Sequence, residues 1–338
     1  MFAARAVLSV ALAVILANEL NLSNTWWAAI SAFVVAQTSW SDSLRRAVQR
    51  MLGTILGACL GALVGPLIGD RPWFFIPVMG LIGGVAVYQA NRSSVAYAWL
   101  LGAITALMVT YEAHLLGSFP ASAGFALMRF AEVAVGTLAC IAVAAAFERA
   151  AHWNARSGPV EEDTVAATAS LPAAALRDIR LRLSLQSALA IAILAALTYL
   201  LSLPGLMQAM VTVVAVLILP ESVLALPGQR AVLEKMTHRL IGCLLAGALG
   251  LGLLPLTHGE AVACMIVLSI GVWVGCHVQT GQQGATYIGR QFTIAFIMVF
   301  VQDHGWSANA LPALTRLSGI LAGILVLAGL MLIMRKRV

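Results

Sequence analysis

The sequence predicts an all-α fold: a polytopic membrane helix bundle of about twelve transmembrane helices, with no large soluble domain. Of the 338 residues, 61% are apolar and only 10% are charged. A soluble domain has about a quarter charged residues and about half apolar ones. Apolar runs of about 20 residues, the length that crosses a bilayer, recur along the whole chain. These observations exclude a disordered chain, a coiled coil and a water-soluble enzyme.

Twelve apolar segments are predicted as membrane spans, and the first is interpreted as an uncleaved span, not a signal peptide. Residues 1–148 hold the first six spans, and residues 181–338 hold the last six. Residues 149–180 form a polar linker that is too short and too poor in apolar residues to be a domain. The predicted spans are 4–20, 25–40, 50–69, 73–90, 94–115, 125–147, 181–203, 206–220, 237–256, 261–278, 286–302 and 312–334.

The distribution of basic residues predicts that both termini face the cytoplasm. With the N-terminus inside, 17 of the 20 Lys and Arg residues lie in cytoplasmic loops or at the inner ends of spans. Only Arg71, Arg129 and Arg316 lie on the outer side. Cytoplasmic loops of membrane proteins carry an excess of Lys and Arg. This orientation requires an even number of spans, which agrees with twelve.

The two halves of the chain resemble each other. Arg50 opens span three and Arg239 opens span nine, and each is followed three residues later by glycine. Arg129 of span six and Arg316 of span twelve match at almost the same separation along the chain. Two halves with six spans each point the same way, which predicts parallel repeats related by an axis along the membrane normal. Substrate sites in such proteins tend to lie where the repeats meet.

Spans two and eight are both short, at about 15 residues. Short segments at matching positions in two repeats indicate discontinuous helices and a binding site. Gln37 adds a polar side chain near the inner end of span two, which makes it a candidate substrate ligand. The alternative is that the span ends have been drawn too tightly.

Small residues recur every four positions on spans three, six, nine and twelve, so they line one face of each helix. Such faces let two helix backbones approach closely in a membrane. Helix packing is therefore the favoured interpretation, and sliding of one span past another is the functional alternative. The packing candidates are Gly53, Gly57, Gly61, Gly242 and Gly319.

Four arginines near the ends of these spans are the candidate substrate ligands. Arg50 and Arg239 lie at cytoplasmic ends, where anchoring of the side chain in the interface is a sufficient explanation. Arg129 and Arg316 break the charge pattern, and ionisable groups within spans usually face a cavity or a partner. Glu132 lies one turn after Arg129, so the two can pair. Glu132 is the candidate proton-coupling residue, and a fixed structural ion pair is the alternative.

The sequence lacks the motifs of several kinds of active site. No Gly-Lys pair is present, so no P-loop exists and ATP hydrolysis is excluded. The six histidines and five cysteines show no metal-ligand spacing. The basic residues are scattered at segment ends, so no nucleic-acid surface is expected. We expect no catalytic residue, metal or cofactor, and no enzyme activity.

One stretch carries a family resemblance. It comprises Trp26-Trp27-Ala-Ala-Ile-Ser-Ala-Phe-Val-Val-Ala-Gln, the basic Ser43-Leu-Arg-Arg-Ala, and Arg50-Met-Leu-Gly-Thr-Ile-Leu-Gly. The stretch resembles the fusaric acid resistance and aromatic acid exporter superfamily. Arg239-x-x-Gly242 is similar to a second, weaker copy, in which Gln208 stands near Trp27's place.

The resemblance implies a bacterial inner-membrane exporter of aromatic or other hydrophobic organic acids, driven by the proton gradient. It also implies pairing with a periplasmic adaptor protein and an outer-membrane channel. Among homo-oligomers a dimer is favoured, and membrane lipid surrounds the bundle. Fixed arginines suit a carboxylate, and the face of Trp27 suits a ring. Two alternatives stay open: a passive organic-anion channel, and a non-transporting scaffold subunit.

The topology is testable with reporter fusions. Fusions at Gly158 and after Val338 should both report a cytoplasmic location, because the positive charges favour that side. Paired reporters, one active only in the cytoplasm and one only outside it, make the measurement. An external signal at either position contradicts the predicted orientation.

Overall fold

The computed structural model describes residues 1–154, 172–201, 205–224, 229–281, 284–303 and 306–335. Within these ranges the chain is helical and forms no β-strand. Glu161, Glu162 and Asp163 of the predicted linker, Gly158, Lys336 and Arg337 lie outside the described residues. The helices are α1 Phe2–Glu19, α2 Thr25–Val35, α3 Trp40–Ile68, α4 Pro72–Ala90, α5 Ala96–Leu116, α6 Phe119–Asn154, α7 Ala173–Leu200, α8 Leu206–Leu217, the single turn α9 Glu221–Leu224, α10 Arg230–Leu253, α11 Ala261–Thr280, α12 Thr286–Phe300 and α13 Leu311–Arg335.

Each predicted span corresponds to one helix of the described chain. Nine of the described helices are long and apolar enough to cross a membrane. The other three, α2, α8 and α12, are apolar but only 11, 12 and 15 residues long. The protein is therefore a multi-pass helical membrane protein. The number of times the chain crosses the bilayer stays a prediction.

Several helices begin before the apolar runs that predicted them. Helix α3 begins at Trp40 and not near residue 50, and α6 begins at Phe119 and not near residue 125. An apolar run marks only the part of a helix that lies in hydrocarbon, whereas capping sets where the helix starts. At the start of α3, the Asp42 backbone N–H donates to Ser39 Oγ at 3.1 Å.

The early start of α6 places Arg129 and Glu132 further along their helix than the predicted span 125–147 suggested. They lie ten and thirteen residues after Phe119, which is about 15 and 20 Å along the axis. Both side chains are buried, with 3% and 0% exposed.

Helices α2 and α8 lie in the interior of the bundle. All but one of the α2 residues are buried, as are all but two of the α8 residues. At 1.5 Å per residue these helices are about 16 and 18 Å long, well short of a hydrocarbon core of about 30 Å. Their polar ends therefore lie among the other helices, where protein groups have to satisfy them.

The same kinds of helix pairs are in contact in both halves. Helix α3 packs on α5 and α10 packs on α12, while α6 packs on α2 and α13 packs on α8. Between the halves, α4 packs on α7 and α11 on α1. Helix α5 also meets α8, and α12 meets α2. The short helices α2 and α8 thus each contact both halves.

Glycines form the closest contacts at matched positions. A Cβ placed on Gly53 would overlap the carbonyl oxygen of Ala98. A Cβ placed on Gly242 would overlap the carbonyl oxygen of Ile288. These pairs join α3 to α5 in the first half and α10 to α12 in the second, at corresponding places in the sequence of each half.

Helices α2 and α8 are held in the same way. Gly136 of α6 lies against the carbonyl of Ala28, and Gly323 of α13 lies against the carbonyl of Ala209. Each glycine leaves no space for a Cβ, so each short helix touches its long partner backbone to backbone.

The packing of α3 on α5 should depend on Gly57, because a Cβ added there would overlap the carbonyl oxygen of Gly102. Gly57→Leu should separate α3 from α5 and lower the yield of folded protein in detergent, because the backbones can no longer touch. Gly252→Leu is the matched control, since nothing lies within 4 Å of a Cβ there. Size-exclusion profiles of the two variants make the measurement. Equal, normal profiles would contradict the packing role.

Candidate functional site

Two arginines and two tryptophans form a continuous stack at the N-terminal end of α2. The rings of Trp26 and Trp27 lie 4.5 Å apart between centroids. The guanidinium carbon of Arg129 lies 4.9 Å from the Trp27 ring, and that of Arg316 lies 4.5 Å from the Trp26 ring. Both distances are within the range of a cation–π contact. We call Arg129, Trp27, Trp26 and Arg316 the arginine–tryptophan stack.

Each arginine of the stack is positioned by its own helix. Arg129 projects from α6 and also lies 5.2 Å from the ring of Phe125, one turn earlier. Arg316 projects from α13, and its Nη1 donates to the carbonyl of Met298 at 2.8 Å. The stack therefore joins α6, α2, α12 and α13, and it bridges the two halves.

Glu132 connects Arg129 to the start of α2. Its Oε2 lies 3.0 Å from Nη1 of Arg129, and its Oε1 accepts the backbone N–H of Asn24 at 2.9 Å. Asn24 is the N-cap residue of α2, and that helix has no side-chain cap of its own. A carboxylate at this end satisfies a free N–H group and interacts favourably with the helix dipole. Glu132 thus caps α2 from another helix.

Among the described residues of the second half, no carboxylate caps the start of the short helix α8. Gly319 occupies the place that corresponds to Glu132, and a Cβ there would overlap the carbonyl oxygen of Gly205. Gly205 is the N-cap residue of α8 and has a φ of +86°, which favours glycine. The start of α8 therefore packs directly on α13, and among the described residues a buried acid caps a short helix only in the first half.

Asp303 belongs to the site, although the sequence did not indicate it. Its Oδ1 accepts the indole N–H of Trp26 at 2.8 Å, and its Oδ2 lies 3.0 Å from Nη2 of Arg316. It follows α12 in a loop, and its side chain is 42% exposed. An acid in a loop normally indicates solvent contact. The sequence feature that could have indicated Asp303 was Arg316, because an arginine within a membrane span usually has an anionic partner.

Arg50 lies one turn further along α2. Its Nη2 donates to Ser31 Oγ at 2.6 Å, and its Nη1 donates to the Tyr97 hydroxyl at 3.4 Å. Ser31 follows Trp27 by four residues, so Arg50 and Arg129 approach the same helix about one turn apart. Arg50 is only 2% exposed.

Arg239 occupies the matching place beside α8. Its Nη2 donates to Thr212 Oγ1 at 3.2 Å, and its Nη1 donates to Oε1 of Gln291. Thr212 stands four residues after Gln208, just as Ser31 stands four residues after Trp27. Arg50 and Arg239 thus make corresponding contacts, but no tryptophan of the described ranges stands beside Arg239.

Cations also lie at the C-terminal ends of both short helices. Nη1 of Arg46 donates to the carbonyl of Val34 at 3.4 Å, and Nζ of Lys235 donates to the carbonyl of Ile218. Free carbonyls and the negative end of the helix dipole favour positive charge here. Arg46 precedes Arg50 by one helical turn, and Lys235 precedes Arg239 in the same way, so the two cations correspond.

Residues 12–143 match the model of a family described as fusaric acid resistance protein-like. This match confirms the resemblance that the motifs of the first half predicted. Neither the comparison with curated proteins nor that with solved structures gives a match. Together, the fusaric acid resistance protein-like match and the apolar helices indicate a membrane transport protein. The matched range includes Trp27, Arg50, Arg129 and Glu132, whereas Arg316 lies outside it.

The structure groups the predicted site residues only in part. Arg50, Arg129 and Arg316 all approach α2, whereas Arg239 is placed on α8. Gln37 lies apart from them, in the loop after α2. Its side chain donates to the carbonyl of Ala36, and no contact joins it to these arginines within the described part of the chain.

Several buried donors around α2 lack an acceptor among the described residues. They are Trp27 Nε1, Arg129 Nε and Arg50 Nε. Nη1 of Arg129 and Oε2 of Glu132 lie 3.0 Å apart, but the two groups are poorly aligned and neither atom makes a hydrogen bond. Buried polar groups in proteins are nearly always paired. This cluster of donors is therefore suited to an anionic ligand.

The link between Trp26 and Asp303 can be measured with a double-mutant cycle. Asp303→Ala should lower the free energy of unfolding by about 1 kcal/mol, because the partly exposed charged bonds of Asp303 to Trp26 and Arg316 are lost. Trp26→Phe keeps the ring in the stack but removes the N–H. The double variant should lose less than the sum of the two single losses.

Thermal unfolding in detergent provides the readout for this cycle. Glu260→Gln is the control, since Glu260 is an exposed acid next to another helix end. Strictly additive losses in the double variant would show that the bond does not contribute to stability.

Proposed function

We propose that this membrane transport protein exports small organic acids that carry a carboxylate and an apolar or aromatic body. The observation that supports this most directly is the group of unpartnered buried donors beside the arginine–tryptophan stack. Carboxylate oxygens accept strongly from guanidinium and indole N–H groups. The faces of Trp26 and Trp27 provide contact area for a ring. No catalytic group is needed for this function.

The proposed site lies where two repeats meet. We propose that residues 1–148 and 181–338 are parallel six-span repeats, joined by the linker 149–180. The matched glycine contacts and the matched contacts of Arg50 and Arg239 support this arrangement. Repeat transporters commonly bind substrate at the repeat interface, beside discontinuous helices. The stack bridges both halves at the start of the short helix α2.

The direction of transport follows from the placement of unpaired cations. Under the proposed orientation, with both termini in the cytoplasm of a bacterial inner-membrane protein, Arg46, Lys235, Arg239 and Arg290 lie towards the cytoplasmic side. Within the described chain no carboxylate pairs with any of them. Arg290 lies close enough to Arg46 for the two charges to interact. Such a cluster attracts anions from the cytoplasm and delivers them towards Arg50.

Glu132 provides the proposed route for proton coupling. In this structure it pairs with Arg129 and caps α2. A substrate carboxylate that takes Arg129 removes the charged partner of Glu132, and a buried carboxylate without a partner binds a proton. One proton from the outer side would then enter the site for each anion bound from the cytoplasm. Loss of that proton to the cytoplasm and release of the anion on the outer side restore the pair, so the proton moves inward as the anion moves outward.

Two other functions make different predictions for the same site. A passive anion channel uses the arginines but not the protonation of Glu132. A non-transporting scaffold subunit uses Arg129 and Glu132 only as a buried structural pair, and their 3% and 0% exposure is compatible with that role. The two tests below separate these functions from proton-coupled export.

Substrate charge is tested with fusaric acid and its methyl ester in proteoliposomes. Arg50→Gln should reduce uptake of the acid by about 10- to 150-fold, which corresponds to a charge-assisted hydrogen bond of about 1.5–3 kcal/mol. The ester should be a poor substrate for the unaltered protein. Arg71→Gln is the control, because Arg71 is exposed and follows the end of α3 that lies away from Arg50. Equal transport of acid and ester would contradict carboxylate recognition.

Coupling is tested with Glu132→Gln, which mimics the protonated side chain and keeps an acceptor for the Asn24 N–H. The variant should retain exchange of fusaric acid down its gradient but lose accumulation driven by an imposed proton gradient. Accumulation at the unaltered rate would place the proton site elsewhere. Proton-independent flux in the unaltered protein would indicate a channel, and no flux at all would indicate a scaffold.

A further inference from the structure

A groove of about 580 Å³ opens on the side of the bundle between α3, α4 and α5. It arises because α4 packs mainly on α7 and only marginally on α3. Its walls are almost entirely apolar, and Gln49 is the one polar side chain among them. Residues that define its extent include Leu52, Leu56, Val64, Val85, Val95 and Trp99.

The shape of the groove fits a lipid chain better than a helix. From Gln49 to Val64 it follows α3 for about 22 Å. One leaflet of hydrocarbon is about 15 Å thick, so a whole acyl chain can be accommodated. A helix is about 10 Å across, wider than a single acyl chain, and this open groove would enclose only part of it. Apolar walls within a bilayer also disfavour water.

Positive charge lies at one end of the groove. Arg45 precedes the lining residue Gln49 by one turn of α3, and Arg92 precedes the lining residue Val95 by three residues. Both arginines are exposed, and neither makes an ion pair within the described chain. Asp42 is the nearest acid on α3, and it is bonded to Ser39 in the helix cap.

We propose that this groove binds one acyl chain of an anionic phospholipid, with the phosphate held by Arg45 and Arg92. The apolar walls recognise the chain, and the two guanidiniums recognise the headgroup. Gly53 and Gly57 line the groove, so the lipid lies against the seam between α3 and α5. The site is separate from the arginine–tryptophan stack and does not rest on the proposed transport activity.

The test is native mass spectrometry of purified protein with phosphatidylglycerol and phosphatidylcholine that carry identical acyl chains. The unaltered protein should retain one phosphatidylglycerol in preference to phosphatidylcholine. Arg45→Gln combined with Arg92→Gln should weaken phosphatidylglycerol binding about 25-fold, because each lost charge should weaken it by about a factor of five. Arg177→Gln combined with Arg230→Gln is the control, because both residues are exposed and lie outside the groove.

Filling the groove tests the chain site. Leu56→Trp with Val85→Trp should abolish retention of both lipids, whereas Leu63→Trp with Leu127→Trp should not. All four positions are exposed on the side of the bundle, so the folded state tolerates them. Unchanged phosphatidylglycerol retention in the filled variant, or equal retention of the two lipids, overturns the proposal. Conversion of a dimer to a monomer by the filled variant would instead assign the groove to a second copy of the chain.

Discussion

The constraint on which the rest of the structure depends is the length of α2 and α8. Helices of 11 and 12 residues end inside the bundle, where no bulk water can satisfy their free N–H and C=O groups. Each unsatisfied group costs several kcal/mol in hydrocarbon, so other helices have to supply partners. Glu132, Arg46 and Lys235 are among the side chains that supply such partners.

The two halves meet this constraint differently at the starts of the short helices. The first half uses Glu132, whose charge then requires Arg129, and Arg129 in turn lies on Trp27. The second half uses close backbone packing between Gly205 and Gly319, which introduces no charge. Among the described residues, an otherwise matched architecture therefore contains one fully buried acid. This asymmetry is the physical reason for assigning coupling to the first half.

Hydrophobic patterning was sufficient to predict the twelve helices and the shortness of α2 and α8. Long apolar runs indicate segments that lie in lipid, and small residues spaced every four positions indicate one face of a helix. The start of α6 was placed too late, because the helix includes residues 119–124, which precede the apolar run used to draw the span. Asp303 was missed because its bond to Trp26 joins opposite halves of the chain. The capping role of Glu132 could not be predicted from the sequence either, because it depends on where α6 meets the loop before α2.

The central claim is that a substrate carboxylate replaces Glu132 at Arg129 and that Glu132 then takes up a proton. Calorimetry of fusaric acid binding to purified protein, in buffers with different ionisation enthalpies, measures this proton uptake directly. The account predicts uptake approaching one proton per molecule bound, and none for Glu132→Gln at similar affinity. Binding without proton uptake in the unaltered protein, or equal uptake in the variant, would contradict it.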